Sequence, residues 1–179
     1  FGKNITKKNI CYYNTTRKFV NSIVVNEMIK NTKPTTIVEI KQSKFIKGKT
    51  ETAEDYLTRC KKNPTQDIKI FKGMPIIASS TKEQGAVCVN NEEFIITELT
   101  AEKITAESTR PDGTHKVEIE TKDFNFYFLV AYCITTHKAQ GSTIAGQMTL
   151  WDWEQMDTKL KYTAITRATG YDKINFCRK

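Results

Sequence analysis

The chain contains 179 residues, of which 39% are hydrophobic and 27% charged, and its formal net charge is +8. This composition is typical of a globular domain with its own core. No apolar run approaches the ~20 residues of a membrane-spanning helix, and five scattered cysteines beside two histidines argue against structural zinc. The sequence begins at Phe1 without an initiator methionine or signal peptide, so we expect a piece of a longer protein.

The first part of the chain has an α/β pattern. Asn9 to Asn14 predicts a buried strand, and Thr16 to Lys30 predicts a helix with Phe19, Ile23, Val24 and Met28 on its inner face. Thr35 to Ile40 predicts a second strand. Residues 42–66 are polar and lysine-rich, with a possible short helix around 54–60.

Short β-like runs then replace the helical spacing. They are Met74 to Ala78, Ala86 to Val89, Glu93 to Leu99, Lys103 to Glu107 and Lys116 to Glu120. Pro111-Asp112-Gly113 predicts a hairpin between the last two runs. Antiparallel strands of this length indicate a small barrel set into an α/β domain.

The α/β pattern returns after Phe124. Residues 126–140 are apolar at first and then amphipathic, which predicts a helix that ends at Gly141. Residues 147–151 predict a strand, 156–168 a helix and 173–177 a final strand.

Two segments carry the chemistry, Ala131 to Thr143 (AYCITTHKAQGST) and Leu160 to Ala168 (LKYTAITRA). The first gathers hydroxyl, imidazole and ammonium groups at the predicted end of the helix, from Thr135, Thr136, His137, Lys138 and Ser142. Such groups contact a phosphodiester backbone without reading its sequence, and Gly141 allows the backbone to approach a ligand closely.

The charge distribution is consistent with a polyanionic partner. Residues 1–50 carry eleven Lys/Arg against two Asp/Glu, whereas the remainder carries 17 against 18. A basic block of this kind suits nucleic acid, because each neutralised phosphate releases counterions. A solvated lysine-rich surface is the alternative, and charge alone does not decide between them.

Together, the two segments resemble motifs V and VI of superfamily 1 helicases, in the order and spacing of the RecD-like branch and its relatives in large DNA viruses. Residues 9–26 resemble motif IV. Residues 71–78 followed by 90–94 resemble the SH3-like insertion of that branch, with Asn91 at a position that is usually glycine.

The resemblance implies a role for each matching residue. Arg167 would be the arginine finger of motif VI and Arg17 a second catalytic arginine. Gln140, Gly141 and Arg167 would face ATP. The residues implied in nucleic-acid binding are Thr135, His137, Lys138, Ser142, Thr143 and Thr163.

The sequence contains no P-loop. Ser43 to Thr50 comes close, but Ser43 stands where the phosphate-cradling turn needs glycine. No Asp-Glu metal motif is present either. The catalytic lysine and the Mg²⁺ ligands are therefore expected in a preceding domain, and the chain by itself should be inactive.

We thus predict an α/β fold, a RecA-like parallel sheet with helices interrupted by an SH3-like β-barrel. Residues 1–69 and 123–179 would form RecA-like domain 2A, and residues 70–122 the insertion 2B. The whole protein would be an ATP-dependent DNA helicase that uses ATP with Mg²⁺ and moves 5′ to 3′ on single-stranded DNA. The alternatives are a non-catalytic single-strand-binding module and an RNA helicase.

The expected partners are single-stranded DNA, the N-terminal RecA-like domain of the same polypeptide and other replication proteins, with no membrane. Because the five cysteines are scattered, we expect reduced thiols and an intracellular location. The resemblance to relatives in large DNA viruses implies the host cytoplasm or a viral replication site.

Overall fold

The computed structural model describes residues 5–44, 50–61, 63–79, 88–110 and 113–177. Within these ranges the chain forms three β-sheets and four α-helices. The helices are α1 (Asn14–Thr32), α2 (Ala53–Lys61), α3 (Phe124–Tyr127) and α4 (Thr158–Ile165). The strands are β1 (Lys8–Cys11), β2 (Ile37–Ile40), β3 (Ile68–Phe71), β4 (Pro75–Ala78), β5 (Glu93–Leu99), β6 (Lys103–Arg110), β7 (Gly113–Glu120), β8 (Phe128–Val130), β9 (Cys133–Thr135), β10 (Met148–Leu150) and β11 (Ile174–Phe176).

A four-stranded parallel sheet organises the α/β part of the chain, in the order β11-β10-β1-β9. Ile10 of β1 is paired with Leu150 on one side and with Ile134 on the other. All three side chains are buried, as expected for a parallel sheet that is covered on both faces. The predicted strands at 9–14, 147–151 and 173–177 are confirmed, although each has only three or four residues.

The parallel sheet separates two hydrophobic clusters. Cys11 packs in one cluster with Val20 of α1, and Ile10 packs in the other with Ala164 of α4. Successive residues of β1 therefore point to opposite faces, as the two-residue period of a strand requires. The helices α1 and α4 consequently cover opposite faces of one sheet.

The side-chain amide of Asn9 connects β1 to the chain next to both of its neighbouring strands, β9 and β10. Its Nδ2 donates to the carbonyl of Tyr132, just before β9, at 3.0 Å, and to that of Thr6 at 2.7 Å. Its Oδ1 accepts from the indole N–H of Trp151, just after β10, at 3.0 Å. Asn9 is buried, so these bonds satisfy polar groups that would otherwise be buried without a partner.

Helix α1 has a polar stripe on its buried side. The predicted helix is confirmed, but the predicted inner face is partly wrong, because Phe19 is 49% exposed while Val20 is fully buried. Asn21 and Arg17 are also buried and have hydrogen-bond partners inside. A pattern of hydrophobic residues alone cannot reveal polar residues that are satisfied in the core.

A five-stranded antiparallel sheet, in the order β7-β6-β5-β4-β8, follows the α/β part. The hairpin of β6 and β7 is confirmed by a register that runs from Lys103↔Glu120 to Arg110↔Gly113; residues 111 and 112 lie outside the described residues. A β-bulge interrupts β5 between Ile96 and Glu98. Of the strand predicted at 86–89, only 88 and 89 are described, and they are not in a strand.

The exposed face of this hairpin carries charges of both signs. Lys103 on β6 forms an ion pair with Glu118 on β7, and this hydrogen bond lowers the pKa of the Glu118 carboxyl. Lys122 binds Glu120 at 2.6 Å. All four side chains are largely exposed, so these pairs contribute little to the free energy of unfolding.

The helix predicted from 126 to 140 is wrong. The chain instead forms the single turn α3, then β8 and β9, and hydrogen-bonded turns from 136 to 141. β8 pairs with β4 of the antiparallel sheet, whereas β9 pairs with β1 of the parallel sheet. Both strands are short, apolar and buried, and periodicity cannot distinguish such runs from a buried helix.

The strand predicted at 35–40 and the short helix at 54–60 are confirmed as β2 and α2. Among the described strands, β2 pairs only with β3, in an antiparallel two-stranded sheet. Gln66, just before β3, donates to the Lys18 carbonyl and to the Ser22 hydroxyl, both at 3.0 Å, which attaches this segment to α1. Among the described residues, no helix combines the length and apolar character of a membrane span.

We predict that Asn21→Ala lowers the free energy of unfolding by about 2–4 kcal/mol, because buried partners would lose their hydrogen bonds. Asn21 is 0% exposed. Its amide donates to the carbonyls of Val130 and Cys133 and accepts from the Cys133 N–H, so it joins α1 to the chain around β9. Urea denaturation provides the measurement.

Asn26→Ala is the matched control, because Asn26 is on the same helix and exposed. It should change stability by less than about 0.5 kcal/mol. Equal losses in the two variants would show that the Asn21 bonds contribute nothing beyond helix propensity.

Candidate nucleic-acid interface

The loop of residues 136–147 connects β9 to β10 and carries most of the predicted binding residues. Thr136 begins it and is fully buried, with its N–H and its hydroxyl both donating to the carbonyl of Cys11. The buried Ala139 donates its N–H to Thr135, and its carbonyl accepts from both the N–H and the hydroxyl of Ser142. Gly141 has a left-handed φ of 84°, which closes this turn.

An open cleft of about 770 Å³ lies beside this loop. One wall is the second half of the loop, residues 142–146, and the other is the turn of residues 89–93, between β4 and β5. Lys8 and Ser108 also line it. The parallel sheet and the antiparallel sheet thus each contribute one side.

The sequence predicted some residues of this cleft and missed others. Ser142 and Thr143, both predicted to contact nucleic acid, line the cleft. Lys8, Asn90 and Ser108 also line it but were not singled out. Asn90 and Asn91 could have been found, because the match to the SH3-like insertion already indicated a turn there.

Asn91 has a left-handed φ of 70°, which is the conformation that makes glycine common at turns and that asparagine tolerates better than most residues. The turn is therefore formed despite the departure from glycine. The N–H of Asn91 donates to the Ala78 carbonyl at 3.1 Å, and the N–H of Glu92 donates to the Val89 carbonyl at 2.9 Å.

Lys138 extends from the loop to this turn. Its ammonium donates to the side-chain oxygens of Asn90 and Asn91, at 3.2 and 3.0 Å, and to the carbonyl of Ala78 at 3.2 Å. Burial lowers the pKa of Lys138, and the positive charge of Arg17 lowers it further. Lys138 was predicted to bind nucleic acid, whereas here its three donors bind the chain itself.

The Arg167 side chain connects the end of α4 to the loop that forms one wall of the cleft. Its Nε donates to the Thr163 carbonyl at 3.1 Å, and its Nη1 donates to the Ser142 carbonyl at 2.9 Å. Its Nη2 donates to the hydroxyl of Thr166 at 3.0 Å. The backbone supports the same contact, because the N–H of Ile144 donates to the Arg167 carbonyl at 2.7 Å.

Arg17 is placed differently from the expectation. It is 1% exposed, its Nε donates to the Asn14 side chain at 3.1 Å, and its Nη2 donates to the Pro64 carbonyl. Burial lowers its pKa. In this structure the guanidinium is buried and bonded to the chain at Pro64, a contact that the motif pattern did not indicate. The catalytic role of Arg17 stays a prediction.

The other predicted residues do not converge on one point. His137, Gln140, Gly141 and Thr143 are exposed along the loop. Thr135 ends β9 and is half-buried. The Thr163 hydroxyl, on α4, donates to the carbonyl of Lys159 within the helix.

The described part of the chain contains no group of three His, Cys, Asp or Glu side chains that could hold a metal ion. Burial raises the pKa of the Cys133 thiol well above its usual value. Cys11 and Cys133 are buried, free thiols, and Cys88 is buried as well.

No protein-family model and no curated protein matches the chain. Solved structures of Pif1 helicases have a similar fold. Pif1 helicase from Candida albicans has a TM-score of 0.66 at 13% identity, over 99% of this chain and 46% of that chain. Bacteroides Pif1 bound to single-stranded DNA has a TM-score of 0.59 at 14% identity, over 94% and 40%.

Bacteroides Pif1 in complex with ADP-AlF3 and single-stranded DNA has a TM-score of 0.60 at 15% identity, over 99% of this chain and 42% of that chain. The chain thus spans less than half the length of these helicases. Its parallel sheet and helices match the RecA-like fold of these structures.

We predict that Gly141→Ala lowers the free energy of unfolding by about 1–2 kcal/mol, the usual cost of a left-handed conformation for a residue with a Cβ. The added Cβ would meet nothing within 4 Å, so backbone conformation alone causes the loss. Urea denaturation measures it. Gly146→Ala is the control in the same loop: its Cβ also has space, its φ is not left-handed, and a loss as large as that of Gly141→Ala would contradict the explanation.

Proposed function

We propose that the chain is the second RecA-like domain of an ATP-dependent superfamily 1 DNA helicase, and that it binds single-stranded DNA in the cleft of about 770 Å³ beside residues 142–146. The observation that carries the proposal is that the motif V loop and the turn at 89–93 form the two walls of this cleft. Residues 70–122 would be the SH3-like insertion, which places one wall in each domain.

The chemistry of the cleft suits a nucleic-acid backbone. Four neutral polar residues line it, Ser142, Thr143, Ser108 and Asn90. Lys8 lines it as well, paired with the lining Glu93, and so does Glu92, whose carboxylate accepts from the N–H of Val89. Neutral donors of this kind contact phosphate and sugar without selecting a base. Sequence-indifferent binding is what a protein that moves along a strand requires.

Arg167 fits the role of a residue that contacts ATP across a domain interface. It uses three N–H groups for bonds within the described part of the chain, whereas a guanidinium carries five. These bonds hold the side chain in one orientation, and the remaining N–H groups can donate to phosphate. ATP with Mg²⁺ would be held mainly by the first RecA-like domain of the same polypeptide, and Gln140 and Gly141 would face it from this chain.

The residues of motifs V and VI also support the finer parts of the proposal. These are membership of the RecD-like branch and 5′ to 3′ movement with duplex unwinding. We further propose an origin in a large DNA virus and work with other replication proteins, in the host cytoplasm or at a viral replication site. In this scheme, ATP-driven closure of the two RecA-like domains would move Arg167 and the cleft together, since Arg167 is bonded to Ser142.

We predict that the chain binds fluorescein-labelled oligo(dT) with an affinity that falls steeply as salt is raised, by about 0.7 in log–log slope for each phosphate contact. Thr143→Val should weaken binding roughly three- to fivefold, because it removes one hydroxyl donor from the cleft. Fluorescence anisotropy over a series of NaCl concentrations gives both quantities.

Thr158→Val removes an exposed hydroxyl from α4 instead and should leave the affinity unchanged. Salt-independent binding, a strong preference for one base sequence, or equal losses in the two variants would contradict the cleft as the binding site. Oligo(U) in place of oligo(dT) tests whether RNA is bound as well.

We also predict that Arg167→Ala lowers ATP turnover roughly 10³- to 10⁵-fold in the protein that joins this chain to its P-loop domain, as for other arginine fingers. Arg167→Lys should not restore turnover, because an ammonium cannot form the planar two-pronged contact with phosphate oxygens. Single-turnover and steady-state ATPase assays measure the effect.

Two controls accompany these variants. The chain without a P-loop domain should hydrolyse no ATP, since it lacks the catalytic lysine. Circular dichroism should show an intact fold, because Arg167 is only half-buried. Near-normal turnover in Arg167→Ala would make this arginine a structural link between α4 and Ser142 and nothing more.

A further inference from the structure

We propose that Lys138 is a positioning residue that fixes the turn of residues 89–93 against the loop of residues 136–147. It thereby sets the separation of the two cleft walls and does not itself contact phosphate. This inference rests on the proposed function for its DNA-binding consequence. Its structural part concerns the free chain and can be tested without DNA.

The donors of Lys138 are all used. An ammonium carries three N–H donors and no acceptor, and the three acceptors around Lys138 are the Ala78 carbonyl and the side-chain oxygens of Asn90 and Asn91, at 3.0–3.2 Å. The side chain is half-buried. A phosphate could gain this cation only by breaking at least one of these bonds.

The turn depends on the same atoms. The Ala78 carbonyl accepts both from Lys138 and from the N–H of Asn91, at 3.2 and 3.1 Å. The Ala78 N–H donates to the Glu92 carbonyl at 2.9 Å, and the Val89 N–H donates to the Glu92 carboxylate at 3.1 Å. The Lys138 ammonium thus lies where the end of β4 meets the turn, and its charge orders several backbone groups there.

A second cation holds the same wall from another element. Lys8, at the start of β1, binds the Glu93 carboxylate at 2.5 Å. Both side chains of this pair are about one-third exposed, so the pair is weaker than a buried one. Lys138 contributes three hydrogen bonds and Lys8 one ion pair to the link between the α/β part and the antiparallel sheet.

The first experiment measures amide hydrogen exchange in the free chain. Lys138→Met keeps the length of the side chain and removes the ammonium. We expect the amides of Asn91 and Glu92 to exchange roughly tenfold faster, because the turn opens locally when it loses this link. Lys159→Met, which removes an exposed lysine of α4, should leave those amides unchanged. Unchanged exchange in Lys138→Met would overturn the proposal.

The second experiment measures oligo(dT) affinity against salt. Lys138→Met should bind roughly tenfold more weakly at every salt concentration, with an unchanged log–log slope. A lysine that contacts phosphate would instead reduce the slope by about 0.7 when removed. A slope that becomes shallower by this amount would overturn the positioning role.

A double-mutant cycle is a second way to distinguish a positioning role of Lys138 from a phosphate-contacting role. Asn90→Ala combined with Asn91→Gly removes two acceptors while Gly keeps the left-handed backbone. If Lys138 acts through these side chains, adding Lys138→Met should weaken binding by at most about twofold more. Full additivity would contradict it. If the wild-type chain binds no oligo(dT), the proposed function fails, whereas hydrogen exchange still decides whether Lys138 holds the turn.

Discussion

The amide of Asn9 is the interaction on which the rest of the structure depends. It binds Tyr132 before β9 and Trp151 after β10, and it lies in β1 between these two strands. Strands of three or four residues offer few ladder bonds, so the parallel sheet needs a buried side chain to keep its register. The loop that forms one wall of the cleft leaves from β9 and returns at β10, and its ends are therefore set by this amide.

Both backbone pairing and side-chain contacts connect the antiparallel sheet to the elements around the cleft. β8 pairs with β4 and is followed after two residues by β9, so one short stretch of chain belongs to both sheets. Lys138 and Lys8 add charge-assisted links on either side of the turn at 89–93. Arg167 then connects the opposite wall to α4. Three cations thus hold the elements around the cleft, and each donates to a carbonyl or carboxylate oxygen: Lys138 to Ala78, Lys8 to Glu93 and Arg167 to Ser142.

The sequence was most informative where a pattern depends on local geometry. Three of the four strands of the parallel sheet (β1, β10 and β11) and the hairpin of β6 and β7 were predicted, and Ser142 and Thr143, which were predicted to contact nucleic acid, line the cleft. The helix at 126–140 was wrong because two short buried strands and a turn share the apolar content of a helix. The burial of a polar side chain and its distant partners could not be predicted from local sequence: Arg17 is buried and donates to the carbonyl of Pro64, and Lys138 donates to Asn90 and Asn91.

The mixed charges on the β6–β7 hairpin have a consequence for association between molecules. β7 pairs only with β6 among the described strands, so it ends the antiparallel sheet with a free edge. A long exposed edge can recruit a strand from another copy and start aggregation. Here Lys116, Glu118 and Glu120 lie along that edge, and a second strand would have to strip water from these charges and oppose some of them with like charges. The charges of the hairpin therefore disfavour edge-to-edge pairing between copies.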